Sequence, residues 1–311
     1  MQEIQIKLKL ILNKFNAGKQ LEALKEIEPL VDVNNNNIEL LFTYGVMASK
    51  INQYYKAIKC FQKILSIKPE HQQALHTLYV NLLKIKNFDN SLVIINKLLK
   101  LNPKHYEALR DKAYIFYLNK DYLNAEKFIL HALKIKSSEV FGLNILGLTY
   151  LAKNQIKDAI NTFKNAILVN KNYFDSYNNL GKCYINNENL DLAFLYFKKA
   201  YNINPKSELP IINIGNVLSL KDKYKAAINF YKKAQELNPS NDLIYTNIAI
   251  TYCKLKNFYQ ANKYYNKANK ASPENHDLDL SFAYLLLYNK KFSEAWKFFE
   301  GRIGLNEFSI K

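Results

Sequence analysis

Arginine is almost missing from this chain: Arg110 and Arg302 stand against 42 lysines. Guanidinium forks are the usual partners of phosphate and carboxylate, so the formal charge of +17 does not imply a nucleic-acid partner. The chain also carries 40 asparagines and 23 tyrosines, residue types that share AT-rich codons with lysine. The basic balance therefore reads as composition, with a weak, salt-sensitive pull on anions. Glycine and proline are scarce as well, 8 and 7 residues, too few turns for an all-β protein. The three cysteines (Cys60, Cys183, Cys253) are far apart and lack metal-ligand spacing. They are expected to be free thiols in a reducing cytoplasm. No uncharged apolar run reaches 18 residues, and Leu8–Leu12 is broken by Lys9, so neither a secretory core nor a membrane partner is expected. No glycine-rich phosphate loop, HExxH or GxSxG string occurs. No catalytic residues, metal or cofactor are expected, and the chain is not read as an enzyme.

What the sequence does contain is a period. Pro69 and Pro103, then Pro205, Pro239 and Pro273, fall in one 34-residue register. Alanines keep it at Ala23, Ala57, Ala125, Ala159, Ala193, Ala227, Ala261 and Ala295, with Ser91 filling the gap. Small residues form a second series at Gly45, Ala113, Gly147, Gly181, Gly215, Ala249 and Ala283, and Ala132, Ala166, Ala200, Ala234 and Ala268 a third. Bulky rings follow at Phe61, Phe163, Phe197, Tyr231, Tyr265 and Phe299.

Such a period describes pairs of helices. Small side chains let two helix backbones approach, and aromatic rings fill the wider gaps. Polar strings such as Lys50-Ile51-Asn52-Gln53, Lys153-Asn154-Gln155 and Lys221-Asp222-Lys223 mark the turn inside each pair, because Asn and Asp tolerate the left-handed conformation. The proline closes the second helix, since the residue before it avoids helical angles.

Residues 174–207, FDSYNNLGKCYINNENLDLAFLYFKKAYNINPKS, resemble the tetratricopeptide-repeat consensus in the NLG, the two alanines, the ring between them and the NP. The resemblance implies an all-α fold, a right-handed superhelical solenoid of about nine 34-residue helix–turn–helix repeats forming one domain over 1–311. The units are placed at 4–37, 38–71, 72–105, 106–139, 140–173, 174–207, 208–241, 242–275 and 276–309. The first is degenerate, with Ile11 and Asn35 at the small-residue and proline positions, and Ser137 and Lys171 replace proline in the fourth and fifth.

The resemblance further implies a concave groove lined by first helices, binding an extended peptide or a partner protein. By register its lining includes Arg110, Tyr114, Tyr117, Asn144, Asn178, Lys182, Asn216, Thr246 and Tyr284, with Met47 as an isolated groove residue. Asn179, Asn213 and Asn247 share one position on three consecutive first helices. A side-chain amide can pair with a peptide backbone without reading its sequence, and the set resembles the asparagine ladder of the O-GlcNAc transferase repeat domain. The competing reading is consensus asparagines that bond a neighbouring turn. The lysine–asparagine pattern of a chaperone-tail carboxylate clamp is absent.

His71, His76, His105, His131 and His276 lie in different units or on different faces and are expected in turns or the groove, not as metal ligands. The buried thiols are expected to be inert. Toward the C-terminus, Phe292 through Trp296 to Arg302 resembles the last repeat of bacterial proteins in which such an array runs into a glycosyltransferase domain. Trp296 is otherwise an ordinary core residue. Ile303, Leu305, Phe308 and Ile310 still arrive past Arg302 with no polar cap, so a further domain or partner is expected there. The reading is an interaction scaffold for a protein or peptide, with the repeat region of a protein glycosyltransferase as the alternative.

Overall fold

The computed structural model describes residues 2–272, 276–288 and 290–296, and every regular element among them is helical. The first helices of the pairs are α1 (Gln2–Asn16), α3 (Ile38–Lys50), α5 (Gln72–Lys84), α7 (Tyr106–Leu118), α9 (Val140–Ala152), α11 (Phe174–Asn186), α13 (Glu208–Leu220), α15 (Asp242–Lys254) and α17 (His276–Tyr288). The second helices are α2 (Gln20–Val33), α4 (Tyr54–Ile67), α6 (Phe88–Leu101), α8 (Tyr122–Ile135), α10 (Ile156–Val169), α12 (Leu190–Ile203), α14 (Tyr224–Leu237) and α16 (Phe258–Ala271). Contacts divide the chain into two compact units at Thr149/Tyr150.

Within unit 1, α1, α3, α5 and α7 pack on α2, α4, α6 and α8, and α2, α4 and α6 pack on α3, α5 and α7. Unit 2 repeats the arrangement from α10 to α16. First helices also touch one another, α3 with α5 in unit 1, and α11 with α13 and α13 with α15 in unit 2. They therefore lie side by side along one face of each unit.

The small residues earn their places twice. Ala57, Ala125, Ala159, Ala193, Ala227 and Ala261 are fully buried, as are Ala132, Ala166, Ala200, Ala234 and Ala268. The glycines of the first helices serve a ring more than a backbone. A Cβ on Gly45 would lie 2.8 Å from Phe61, and one on Gly181 would lie 2.6 Å from Phe197. Each ring sits 16 residues on, on the second helix of the same pair. One pair reverses the sizes: Tyr79 stands where every other pair but the degenerate first has Gly or Ala, Ile95 replaces the ring, and both are fully buried. Ser91 there donates to the Tyr79 carbonyl at 3.2 Å.

The turn inside each pair has one conformation. Asn52, Lys86, Lys120, Asn154, Glu188, Asp222, Lys256 and Lys290 all have φ between 57° and 63°, at a constant 34-residue spacing. Gly18, φ 90°, precedes them in the same register. Asn52, Asn154 and Asp222 are the residues expected there. Four lysines and a glutamate hold the same strained angle because the packed helices on either side leave the chain no other path. The second helices α4, α6, α12 and α14 end two residues before Pro69, Pro103, Pro205 and Pro239. Pro273 lies outside the described residues.

Two expectations fail. Met47 is 2% exposed and belongs to the core of unit 1, packed among residues of α1 to α5 and not open to a groove. Trp296 is 57% exposed and so is not a core residue. Phe299, Ile303, Leu305, Phe308 and Ile310 lie outside the described residues.

Candidate interaction surfaces

In unit 1, α5 and α7 bring together a titratable cluster that no sequence spacing announces. The rings of His76 and His105 lie 5.1 Å apart, and His76 meets the Tyr79 ring edge-on at 5.0 Å. His105 caps α7, its Nδ1 accepting from Ala108 N–H at 3.3 Å, and His71 caps α5 through Ala74 N–H at 3.2 Å. His71 also stacks on Phe42. Burial, and then repulsion from His105, push the His76 pKa down.

Arg110 is placed on the first-helix face as expected, but its guanidinium is already engaged. Nε donates to Asp111 Oδ1 at 2.8 Å, and a terminal nitrogen stands 2.8 Å from the same oxygen. Asp111 occupies the register position that Asn179, Asn213 and Asn247 hold in unit 2. Burial raises the Asp111 pKa, and the Arg110 charge opposes that rise without cancelling it. Arg110 also stands over the Tyr106 ring at 5.8 Å. Tyr106 donates to Glu139 Oε2, the same oxygen that accepts from Gly142 N–H at 2.7 Å at the start of α9. Tyr114 is exposed, whereas Tyr117 is half-buried against Tyr122.

In unit 2, the asparagines of α11, α13 and α15 do not form a row of open amides. Asn213 donates from Nδ2 to Asn178 Oδ1 at 2.8 Å, tying α13 to α11. Asn178 and Asn179 are buried, 3% and 7% exposed. Asn216 accepts from the Tyr231 hydroxyl at 2.8 Å, so it is turned toward the core. Asn247 is half-buried, and its Nδ2 is shut off from solvent without an acceptor among the described residues. Its backbone carbonyl accepts from Thr251 at 2.7 Å, and Thr246 bonds the Asp242 carbonyl at 2.9 Å. Lys182 is exposed, yet the protein around it lowers its pKa, and Asp175 pulls that pKa back up. Tyr284 is exposed. Asn144 has partners of its own.

Cys60, Cys183 and Cys253 are buried, and burial raises their thiol pKa values to about 11, 12 and 12. A thiol so raised stays protonated near neutrality and is a poor nucleophile. Among the described residues no three metal-ligating side chains converge. No helix among them is long and apolar enough to cross a membrane.

Family models described as tetratricopeptide repeat match residues 38–71, 81–139, 174–207, 212–241 and 243–275, and one described as TPR repeat matches 147–188. No curated protein matches the chain. Among solved structures, a tetratricopeptide repeat protein from Parabacteroides merdae superposes with TM-score 0.69 at 15% identity, over 81% of this chain and 99% of that one. The Cut9–Hcn1 hetero-tetramer of the APC/C gives 0.62 at 17%, over 92% of this chain and 57% of that one. Pseudomonas aeruginosa pilF gives 0.56 at 18%, over 66% and 93%. At these identities the likeness is one of fold.

Proposed function

The chain belongs to the tetratricopeptide-repeat family, whose members act generally as protein-interaction scaffolds, and on that premise we propose that the first-helix face of unit 2 binds an extended protein segment. The observation that carries this is that α11, α13 and α15 lie side by side, with the half-buried Asn247 on the third of them. Asn213, whose amide already reaches across to α11, and Lys182 with Asp175 supply further polar groups along the same three helices. Arg110, Tyr114 and Tyr117 belong to unit 1, where the exposed Tyr114 ring is the group open to a partner. The division of 4–309 into nine units of one array belongs to this reading. A second reading, a repeat region presenting substrate to a glycosyltransferase domain, rests on the string Phe292 to Arg302 alone.

The test is a peptide array probed with the labelled full chain at moderate salt, followed by affinity measurement of the best binder. Asn213→Ala with Asn247→Ala is expected to weaken that binder about tenfold, the worth of one to two net hydrogen bonds; the melting temperature falls as well, because the buried Asn178 Oδ1 loses its donor, so affinity is read well below the melt of the variant. Undiminished affinity removes the asparagines from the site. Failure of every peptide to bind removes the groove reading itself.

A further inference from the structure

The opposite face of unit 2, built from the second helices, carries a feature that the groove reading leaves unused. Lys199, Lys233 and Lys267 recur at 34-residue spacing on α12, α14 and α16. Each stands over the ring three residues before it: Lys199 over Tyr196 at 5.1 Å, Lys233 over Phe230 at 5.3 Å and Lys267 over Tyr264 at 5.0 Å. The rings are held from behind, Tyr196 stacked on Tyr184 at 5.3 Å and Tyr264 on Tyr252 at 5.7 Å. A lysine head normally wanders on a four-carbon stem, and a ring under it restricts that motion. The result is a row of ammonium groups in fixed register.

Two open recesses fall on this row. One, of about 460 Å³, is lined by Phe230, Lys232 and Lys233 along α14. The other, of about 400 Å³, lies between the α14–α15 turn and α16 and is lined by Tyr245, Lys267 and Lys270. Lys198 and Lys232 add exposed charges beside Lys199 and Lys233. Glu236 lines the first recess and is the acidic side chain there.

We propose that this lysine row on α12, α14 and α16 binds an acidic polypeptide segment, rich in Asp and Glu, laid across the second helices of unit 2. Charge complementarity selects an anion, and the local chemistry selects which. Single-strand nucleic-acid binding leans on ring faces open to base stacking and on arginine forks. Here each ring is covered by its own lysine, Tyr196 and Tyr264 by a neighbouring ring as well, and unit 2 holds no arginine among the described residues. What remains is a line of point cations, which suits carboxylates on a chain free to space them.

The test uses the full chain, with anisotropy of a labelled oligoglutamate and, separately, of an oligothymidylate of equal length. Lys199→Glu/Lys233→Glu/Lys267→Glu is compared with Lys63→Glu/Lys97→Glu/Lys100→Glu. Lys63 and Lys97 share the register of the row but have Cys60 and Ile94, not rings, three residues before them. If the row variant melts early, the corresponding Lys→Gln triple is read in its place. Oligoglutamate binding weakened about tenfold by the row variant and less than about twofold by the control supports the proposal. Equal weakening by both variants reduces the effect to net charge and overturns it. So does the absence of oligoglutamate binding, or oligothymidylate bound more tightly and lost with the row.

Discussion

Gly215 and Tyr231 compete for one volume: a Cβ on Gly215 would stand 2.4 Å from Cε1 of the tyrosine ring. The ring is 2% exposed and its hydroxyl is committed to Asn216, so it has no room to retreat. Gly215→Ala is therefore expected to destabilise the protein. Overpacking costs about 1–3 kcal/mol, offset in part by the roughly 1 kcal/mol that Ala gains over Gly in a helix. A thermal melt of G215A beside the double variant Gly215→Ala/Tyr231→Ile, which copies the fully buried Ala113–Ile129 pair, isolates the clash. An unmoved melting temperature for G215A contradicts the packing described.

The Arg110–Asp111 pair makes the second prediction. Both side chains are largely buried, 23% and 14% exposed. Removing one partner of a buried pair leaves the other charge uncompensated, at about 3–5 kcal/mol. Arg110→Met should approach that loss, and Arg110→Met with Asp111→Asn should recover much of it. Equal denaturation midpoints for R110M and the double variant would mean the pair is not coupled.

The turn conformation gives a stabilising prediction. Lys120 has φ 61°, a region in which a Cβ costs roughly 1–2 kcal/mol. Lys120→Gly removes that strain but adds freedom to the unfolded chain. The net gain is expected at about 0.5–1 kcal/mol, with Lys120→Asn gaining a few tenths. Urea denaturation reads both. A loss on K120G would show that the lysine side chain, and not the backbone angle, matters at this turn.

Acid should loosen the region around α5 and α7. The His76 pKa is depressed below its ordinary 6.5 by burial and by His105, while Glu107 and Asp111 oppose the shift and Arg110 adds to it. The folded state thus binds this proton less readily than the unfolded state does. The stability tied to neutral His76 is complete above pH 6.5 and drains away as pH falls through 6.5 toward the lower folded value. Melting temperatures at pH 7.5 and 5.5 should differ less for His76→Gln than for the parent chain. Identical pH dependence would exclude His76 as the source.

Much of the architecture was legible in the sequence because it is local and repeated. Helix pairs, the stop before Pro69 or Pro205, and the turns at Asn52, Asn154 and Asp222 follow from periodicity and backbone preference. The same register also carries the lysine row at Lys199, Lys233 and Lys267. The glycines were legible as small, but their purpose was not. Gly181 and Gly215 answer to rings 16 residues away, on the far side of a turn.

The candidate site was less legible. The register placed Asn178, Asn179, Asn213, Asn216 and Asn247 near one face, and Arg110 and Lys182 with them. It did not show that Asn213 is tied to Asn178, that Asn216 serves Tyr231, or that Arg110 is held by Asp111. It also left His76 and His105 apart, though their rings lie 5.1 Å from each other. A 34-residue period by itself determined which residues share a helix and which positions are small, because helical angles and close packing act over one or two turns. Which polar groups are spent and which remain was decided only by the tertiary structure, because the distance between side chains on consecutive first helices depends on how those helices lie against each other.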